Sequence, residues 1–440
     1  MGSRTEEIKL INKLAIPSLA GSLAETIFGI ADQAIIGRTS IDGYAAVGVA
    51  SNIIYVLTGT MGILSMAFTI MFSKAVGEEN KDKAQNIFNS VGTLALIIGI
   101  LFELAVIFGG KFFFAKFYHF NGQTLIYAYD YIKIAGVGLG MNMLLFIFSA
   151  YFKNLQKPMI YLYGTIFSLV VNFILDYILV FGKFGLPSLG VKGAAIGTVA
   201  GLACHLAVYV IAFVQESYIQ YKIRIDKQEL LELVKLYVPL LGQDFVESTL
   251  FVMIITSFVT GMGVYYAAAY NLIESIVAFA FMPVYAYSGA TLMLVGQSYS
   301  KKEFVKLQRF PKISIKCCIG IFLTIAILFS FFSESVCGII TNDTTLIEFT
   351  KRILPVALGM QIFNIGNQIF KYCLQGVERE KWVFIYSTGI SCVSCIIIYY
   401  FTTYTNLQLY GTYVGLGITY FLLGIGSYLK YRKVIKVYKK

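Results

Sequence analysis

Long apolar stretches separated by short polar loops recur along the whole chain. Each is about long enough for a helix that crosses a bilayer, which takes roughly 20 residues. The pattern predicts twelve transmembrane helices near residues 14–36, 44–72, 86–109, 130–151, 158–182, 191–215, 236–260, 264–298, 313–333, 352–375, 382–403 and 408–430. The predicted fold class is therefore an all-α polytopic membrane protein, embedded in the lipid bilayer of the inner (cytoplasmic) membrane.

Composition agrees with this class, because 58% of the 440 residues are hydrophobic, 13% are charged and the mean hydropathy is +0.74. The net charge of +11 would suggest a nucleic-acid partner in a soluble protein. Here Lys and Arg lie at helix ends and concentrate in the N-terminal segment, in alternate loops and in the C-terminal tail. The positive-inside rule therefore predicts that both termini are cytoplasmic, and no nucleic-acid partner is expected.

The second half of the chain repeats the first. Pro17 matches Pro239, Glu25 matches Glu247, and residues 44–46 match residues 266–268, all at the same distance along the sequence. After one short deletion the series continues, with residues 139–141 matching 358–360 and 155–156 matching 374–375. This ordered series predicts two pseudo-symmetric six-helix lobes, 1–216 and 217–440, with a polar linker at about 217–232. Six helices per half is an even number, so the lobes are expected to share one orientation, with a substrate cavity between them.

Two carboxylates lie within the first predicted helix, at Glu25 and Asp32. Seven residues are about two helical turns, so both carboxylates lie near one face. A carboxylate at mid-bilayer depth costs roughly 2.5–3.5 kcal/mol, and such groups usually face a bundle interior or a water-filled cavity. Asp32 is therefore the leading candidate for binding an ion or relaying a proton. The alternative is a structural role, in which a Tyr, Asn or Lys on a neighbouring helix satisfies the carboxylate.

Predicted helices 5 and 6 supply further oxygen atoms. Asn172 and Asp176 are four residues apart and share a helix face. Helix 6 opens with GVKGAAIGTVAG, whose small residues allow close approach to a neighbour, and Thr198 adds a hydroxyl group there. Carboxylate, amide and hydroxyl oxygens suit a hard cation, so Asp32, Asn172, Asp176 and Thr198 form a metal site if the ion is Na⁺. A proton carried by one buried carboxylate is the open alternative.

Several segments resemble the multidrug and toxic compound extrusion (MATE) family, in the order in which that family has them. LAIPSLAGSLAETIFGIADQAIIGR followed by YAAVGVA is similar to its opening, and NFILDYILVFG followed by LGVKGAAIGTVAG resembles its helices 5 and 6. VPLLGQDFVESTLF resembles its helix 7, and LGMQIFNIGNQIFKYCLQG its helix 10. The resemblance covers nearly the whole chain. It implies two six-helix lobes that form a V, with export driven by inward flow of Na⁺ or H⁺ and no other cofactor.

The resemblance also implies roles for particular residues. The family's cation-site positions carry over to the four residues on helices 1, 5 and 6 named above. One branch of the family has a second site, built from acids on helices 7 and 10. Glu247 matches the helix 7 acid, but Asn364 stands where that branch has an aspartate. We therefore expect the coupling site in the N-terminal lobe and rank Glu247 and Asn364 as secondary candidates.

A cavity for organic cations is expected to be lined by aromatic and Met side chains, because aromatic rings bind such cations by stacking and cation–π contact. The candidate lining residues are Glu25, Tyr266, Tyr270 and Met282. The expected function is export of small organic molecules, cationic or amphipathic drugs, by a monomeric H⁺- or Na⁺-coupled antiporter that works by alternating access.

Two other functions are alternatives to drug export. A lipid-linked oligosaccharide flippase of the same superfamily would favour a cavity rich in Arg and Lys, whereas few basic residues lie inside the spans, chiefly Lys371. An integral membrane enzyme would need a His, Cys or Ser constellation. The sequence has no H-E-x-x-H, G-x-S-x-G or P-loop motif, so no enzymatic activity is expected.

The predicted topology can be tested by labelling single cysteines in a variant that lacks the native ones. We expect a membrane-impermeant reagent to label positions 187 and 342 in intact cells, because these loops lack the cytoplasmic excess of Lys and Arg. Positions 80 and 226 should be labelled only after permeabilisation. External labelling at position 226 would contradict the model of two lobes in the same orientation.

Overall fold

The computed structural model describes residues 4–38, 40–216 and 218–438, and in these ranges it is helical without β-strands. The helices of the first half are α1 Arg4–Gly37, α2 Ile41–Gly77, α3 Lys81–Phe117, α4 Gly122–Ala135, α5 Gly138–Asn154, α6 Met159–Phe181 and α7 Val191–Glu216. Those of the second half are α8 Lys227–Asp244, a π-helical turn Phe245–Leu250, α9 Phe251–Gly261, α10 Val264–Ser300, α11 Phe304–Phe331, α12 Ser333–Ile340, α13 Thr344–Gly376, α14 Glu380–Thr403 and α15 Leu409–Tyr438.

Eleven helical segments in the described ranges are long and apolar enough to cross a membrane, with α8, the π turn and α9 counted as one. The pair α4 and α5 makes a twelfth span if it is taken as one helix bent by 44°. The predicted all-α polytopic class is thus confirmed. The bend falls at Gly136 and Gly138, and glycine weakens a helix because its backbone loses the most freedom on ordering. A Cβ atom at Gly138 would lie 2.6 Å from Leu202 Cδ1, so the bare backbone also lets α5 approach α7.

The helices group into two compact units by their contacts. The N-unit is Ile16–Val234, and the C-unit is Met1–Ala15 together with Lys235–Lys440. The first turns of α1 therefore belong to the C-unit and the first turns of α8 to the N-unit. The division into lobes at residues 216 and 217 stays a prediction, and the contact grouping assigns the linker to the N-unit.

Specific hydrogen bonds explain this grouping. In the C-unit, Tyr287 donates a hydrogen bond to Asn12 Oδ1 at 2.7 Å, and Arg309 pairs with the buried Glu7 at 3.3 Å. In the N-unit, the segment before α8 runs along α3. Backbone N–H groups of that segment donate to side chains of α3, as Gln220 to Gln85 at 2.8 Å, Lys222 to Asn89 at 2.9 Å and Asp226 to Ser90 at 2.8 Å.

Polar side chains fix several helix starts. Ser40 accepts from the Gly43 N–H at 2.9 Å at the start of α2. Asp343 caps α13 by accepting from the Thr345 hydroxyl at 2.6 Å and the Leu346 N–H at 3.1 Å. Such caps satisfy N–H groups that have no partner inside the helix. The same hydrogen bonds, that of the Thr345 hydroxyl first, hold the pKa of Asp343 below its usual value.

Helices α6 and α7 pack through three glycines spaced four residues apart, Gly193, Gly197 and Gly201. A Cβ atom at Gly193 would lie 2.7 Å from the Leu179 carbonyl carbon, and one at Gly201 would lie 2.9 Å from the Ser168 carbonyl oxygen. Small residues at this spacing let two membrane helices approach until their backbones touch. The close approach brings the polar residues of α6 and α7 to one place.

We expect Gly193→Ala to destabilise the protein by about 1–3 kcal/mol, because the added methyl group meets backbone atoms that cannot move aside without shifting the helix. The measurement is the apparent melting temperature of the purified protein in detergent. Gly109→Ala is the matched control, since a Cβ atom there has no neighbour within 4 Å, and it should leave the melting temperature unchanged or raise it. Equal effects of the two substitutions would contradict tight packing at Gly193.

Candidate functional site

Two carboxyl groups of the N-unit face each other inside the bundle. Asp32 lies on α1 and Asp176 on α6, and they are within hydrogen-bonding reach of each other whenever one of them carries a proton. Asp176 is wholly buried, with 0% of its side chain exposed. Among the described residues neither Asp176 oxygen has a well-formed hydrogen-bond partner, and neither does Asp32 Oδ1. The structure therefore brings together two acids that are 144 positions apart in the sequence numbering.

The neutral oxygens predicted for this site lie beside the carboxyl pair. Asn172 Nδ2 donates to Thr198 Oγ1 at 3.5 Å, and the Thr198 hydroxyl donates to the Ala194 carbonyl at 3.0 Å. The Asn172 side chain also neighbours Asp176 one turn further along α6. Gly197 leaves the space that Asp176 fills, because a Cβ atom there would overlap Asp176 Oδ1.

Two further hydroxyl groups reach the site, and the sequence did not single them out. Tyr131 of α4 is 4% exposed, and its hydroxyl lies near Asp32, Asp176 and Thr198. Ser51 of α2 donates to that hydroxyl at 3.2 Å. A tyrosine among many in an apolar sequence carries no local signal of this role. Only the bend between α4 and α5 and the packing of α4 on α2 and α7 put it there.

The site holds two acids and no base. Neither Lys nor Arg is among the groups that act on Asp32 or Asp176 in the described part of the chain. Two carboxylates side by side cannot both stay ionised in a buried place unless a proton or a cation lies between them. The described residues form no cluster of three His, Cys, Asp or Glu, so the ligands available to a metal ion here would be two carboxylates and neutral oxygens. Such donors fit Na⁺, and the same pair can hold a single proton.

Glu25 belongs to a separate polar cluster. At the usual rise of an α-helix it lies about 10 Å from Asp32 along α1. Tyr161 donates to Glu25 Oε1 at 3.1 Å, and Lys153 Nζ lies 4.0 Å from the centre of the Tyr161 ring. His205 is 8% exposed and its ring is 4.7 Å from that of Tyr209. The structure thus gives Glu25 an aromatic and a basic neighbour, neither of which was assigned to it from the sequence.

In the C-unit the structure places Lys371, and not Asn364, on Glu247. Lys371 Nζ is 2.9 Å from Glu247 Oε2, and Gln243 Nε2 donates to Glu247 Oε1 at 3.0 Å. Asn364 instead donates to Gln361 at 2.9 Å and accepts from Asn367 at 3.2 Å, all within α13. The π-helical turn Phe245–Leu250 carries Glu247, and π turns inside helices are frequent at functional sites.

The predicted cavity residues of the second half all lie on α10 but have separate surroundings. Tyr266 donates to Gln408 Oε1 at 2.7 Å. Tyr270 is 6% exposed and its ring is 6.1 Å from that of Tyr413, which donates to Glu274 at 3.3 Å. Met282 is half-buried three turns further along. Their role in binding substrate stays a prediction.

The family model MatE matches this chain twice, over residues 17–178 and again over residues 239–401. A relative named "Probable multidrug resistance protein NorM" from Thermotoga maritima is 25% identical over 420 residues, which cover 93% of this chain and 88% of that protein. "Probable multidrug resistance protein YoeA" from Bacillus subtilis is 23% identical, and the match covers 91% of this chain and 88% of that protein.

A solved structure described as the outward-facing conformation of a multidrug resistance MATE family transporter of the MOP superfamily has a TM-score of 0.86 to this chain. It is 20% identical, and the match covers 99% of this chain and 97% of that one. At this identity the likeness shows the fold alone. Because the family model covers most of both halves, the chain belongs to the MatE family, and the protein is a multi-span membrane transporter of the MATE multidrug efflux family and not an enzyme.

Proposed function

We propose that this protein is a cation-coupled antiporter that exports organic, cationic or amphipathic drugs by alternating access. The coupling ion, H⁺ or Na⁺, binds at Asp32 and Asp176. The observation that carries the proposal is the facing pair of carboxyl groups with no basic residue beside it. The names of the relatives as multidrug resistance proteins support drugs as the class of substrate.

The electrostatics of the pair explain why ion binding would move α1. With both carboxylates ionised, their repulsion drives Asp32 away from Asp176, which α6 and α7 hold in place at Gly197. A proton or Na⁺ between them removes the repulsion and favours the close arrangement seen here. Because Asp32 is part of α1, the position of that helix depends on whether the ion is bound. Substrate affinity then follows the same equilibrium, as linkage requires.

The available energy is sufficient for export. One charge that moves inward through 100 mV releases about 2.3 kcal/mol. At about 1.4 kcal/mol per tenfold change in concentration, this supports a gradient of roughly forty-fold for a neutral substrate. The flippase alternative is less favoured, because the half-buried Lys153 and the buried Lys371 each lie near an acid and are not available to a pyrophosphate group.

The coupling ion can be identified in proteoliposomes on which a Na⁺ gradient and a pH gradient are imposed separately. We expect one of the two gradients to drive efflux of a fluorescent organic cation, because the site takes a proton or a Na⁺ ion through the same carboxylates. Liposomes without protein give the background. Efflux driven by neither gradient, with substrate binding intact, would contradict a cation-coupled mechanism.

Asp32→Asn keeps the size of the side chain and removes its charge. We expect gradient-driven efflux to fall by about 5–150-fold, the usual range of a coupling free energy, while equilibrium binding of substrate persists. Asp176→Asn should weaken coupling as well, since Asn172 and Thr198 supply only neutral oxygens. Asp82→Asn, the same change at an exposed position of α3, is the control. Full efflux by Asp32→Asn would overturn the assignment, and loss of folding would indicate a structural role.

Tyr131→Phe removes the hydroxyl group that lies between Ser51 and the two acids. We expect the ion concentration for half-maximal efflux to rise by about two- to tenfold, the value of one hydrogen bond, with little change in the maximal rate. The measurement is initial efflux rate against ion concentration. An unchanged half-maximal concentration would remove Tyr131 from the ion site.

A further inference from the structure

The two acids that the sequence repeat matches, Glu25 and Glu247, share a feature that Asp32 lacks. Each has a lysine near it from the fourth span of its own half, on α5 in the N-unit and on α13 in the C-unit. In the C-unit the contact is direct, with Lys371 Nζ 2.9 Å from Glu247 Oε2. In the N-unit Lys153 lies over the ring of Tyr161, whose hydroxyl donates to Glu25.

The surroundings of Glu247 form a half-buried site that holds an ammonium group. Its side chain is 22% exposed and that of Lys371 is 11% exposed. The second carboxylate oxygen accepts from Gln243, and Gln375 Nε2 holds Gln243 by donating to its Oε1 at 3.1 Å. Both oxygens of the acid are therefore occupied by donors of the chain itself. A mobile cation at Glu247 would compete with the ammonium group of Lys371 for the same carboxylate.

The surroundings of Lys371 also disfavour its departure. Its ammonium lies near the side chains of Tyr372 and Tyr285 in addition to Glu247. An ammonium group that leaves a carboxylate inside a bundle loses more than it would in water, because the lower dielectric there strengthens the ion pair. Breaking a buried pair by removing one partner is accordingly far more costly than replacing both.

We propose that Lys371 is a resident cation: a tethered ammonium that holds the place of a mobile ion at Glu247. The coupling ion then binds at Asp32 and Asp176, where no lysine is present. This inference rests on the proposed function for its consequence in transport. The inference that an ammonium group occupies Glu247 does not depend on the proposed function. It also identifies a class of ligand, because removal of the lysine leaves a site for a small primary ammonium ion.

The test uses the purified full-length protein and its apparent melting temperature, which needs neither an ion gradient nor a drug. Lys371→Ala removes the tether and leaves room for propylammonium, which has a short alkyl chain and three N–H donors. We expect Lys371→Ala to melt below the wild type and propylammonium chloride to raise its melting temperature by at least about 2 °C. Tetramethylammonium chloride has no N–H donor and should give no rise.

Three further proteins make the result specific. The wild type should not respond to propylammonium, because Lys371 fills the site. Glu247→Gln combined with Lys371→Ala should not respond either, since the carboxylate is gone. Lys433→Ala removes an exposed lysine of α15 and should behave as the wild type. An equal rise in the wild type or in the double variant would overturn the proposal, as would a Lys371→Ala protein that is as stable as the wild type and unresponsive.

If Lys371→Ala does not yield folded protein, Lys371→Met fills the same space and leaves Glu247 without a cation. Adding Glu247→Gln should then restore part of the lost melting temperature, because no unpaired charge remains. A double variant less stable than the Lys371→Met single variant would overturn the proposal. Failure of cation-driven efflux in the wild type would leave these melting results unaffected, so the two proposals fail separately.

Discussion

Repulsion between the carboxyl groups of Asp32 and Asp176 is the interaction on which the proposed coupling mechanism depends. A charge inside a membrane protein is tolerated when an opposite charge or a polar cavity compensates for its lost hydration. Glu7 and Glu247 satisfy this rule with Arg309 and Lys371. The Asp32 and Asp176 pair has no such partner among the described residues, which is why we propose it as the place where the coupling ion binds.

The packing of α6 on α7 holds Asp176 in its buried position. Asp176 is buried because Gly193, Gly197 and Gly201 bring the two helix backbones into contact, and Gly197 leaves room for the carboxylate itself. Tight backbone packing also keeps Asp176 from moving to relieve the repulsion. The strain of a second negative charge therefore falls on Asp32 and on α1. In the proposed mechanism, ion binding between the fixed Asp176 and Asp32 is converted into motion of α1.

The repeat shows which features belong to the scaffold and which to one half alone. Glu25 and Glu247 occupy matching positions and both lie near a lysine of the fourth span, so they behave as a shared structural element. Asp32 matches Ile254, an apolar residue that is 39% exposed. The second half thus has no acid at the position that matches Asp32.

The sequence by itself determined the all-helical membrane class, the internal repeat and the acids worth examining. The length of each apolar stretch and the presence of a charged residue within it can be read directly from the sequence. The sequence also indicated Asn172, Asp176 and Thr198. The four-residue spacing of the first two places them on one helix face, and the glycine-rich start of the next helix predicts close packing near Thr198.

Only the tertiary structure decided which groups meet. Tyr131 and Ser51 come from two other helices, and nothing in their neighbourhoods distinguishes them from many similar residues. Lys371 lies 124 positions from Glu247, and a lysine near a helix end reads equally well as one that reaches toward the membrane surface. The bend between α4 and α5 and the π turn that carries Glu247 likewise arise from packing. The physical reason is that ion pairing depends on distance in space, which helix packing sets and sequence spacing does not.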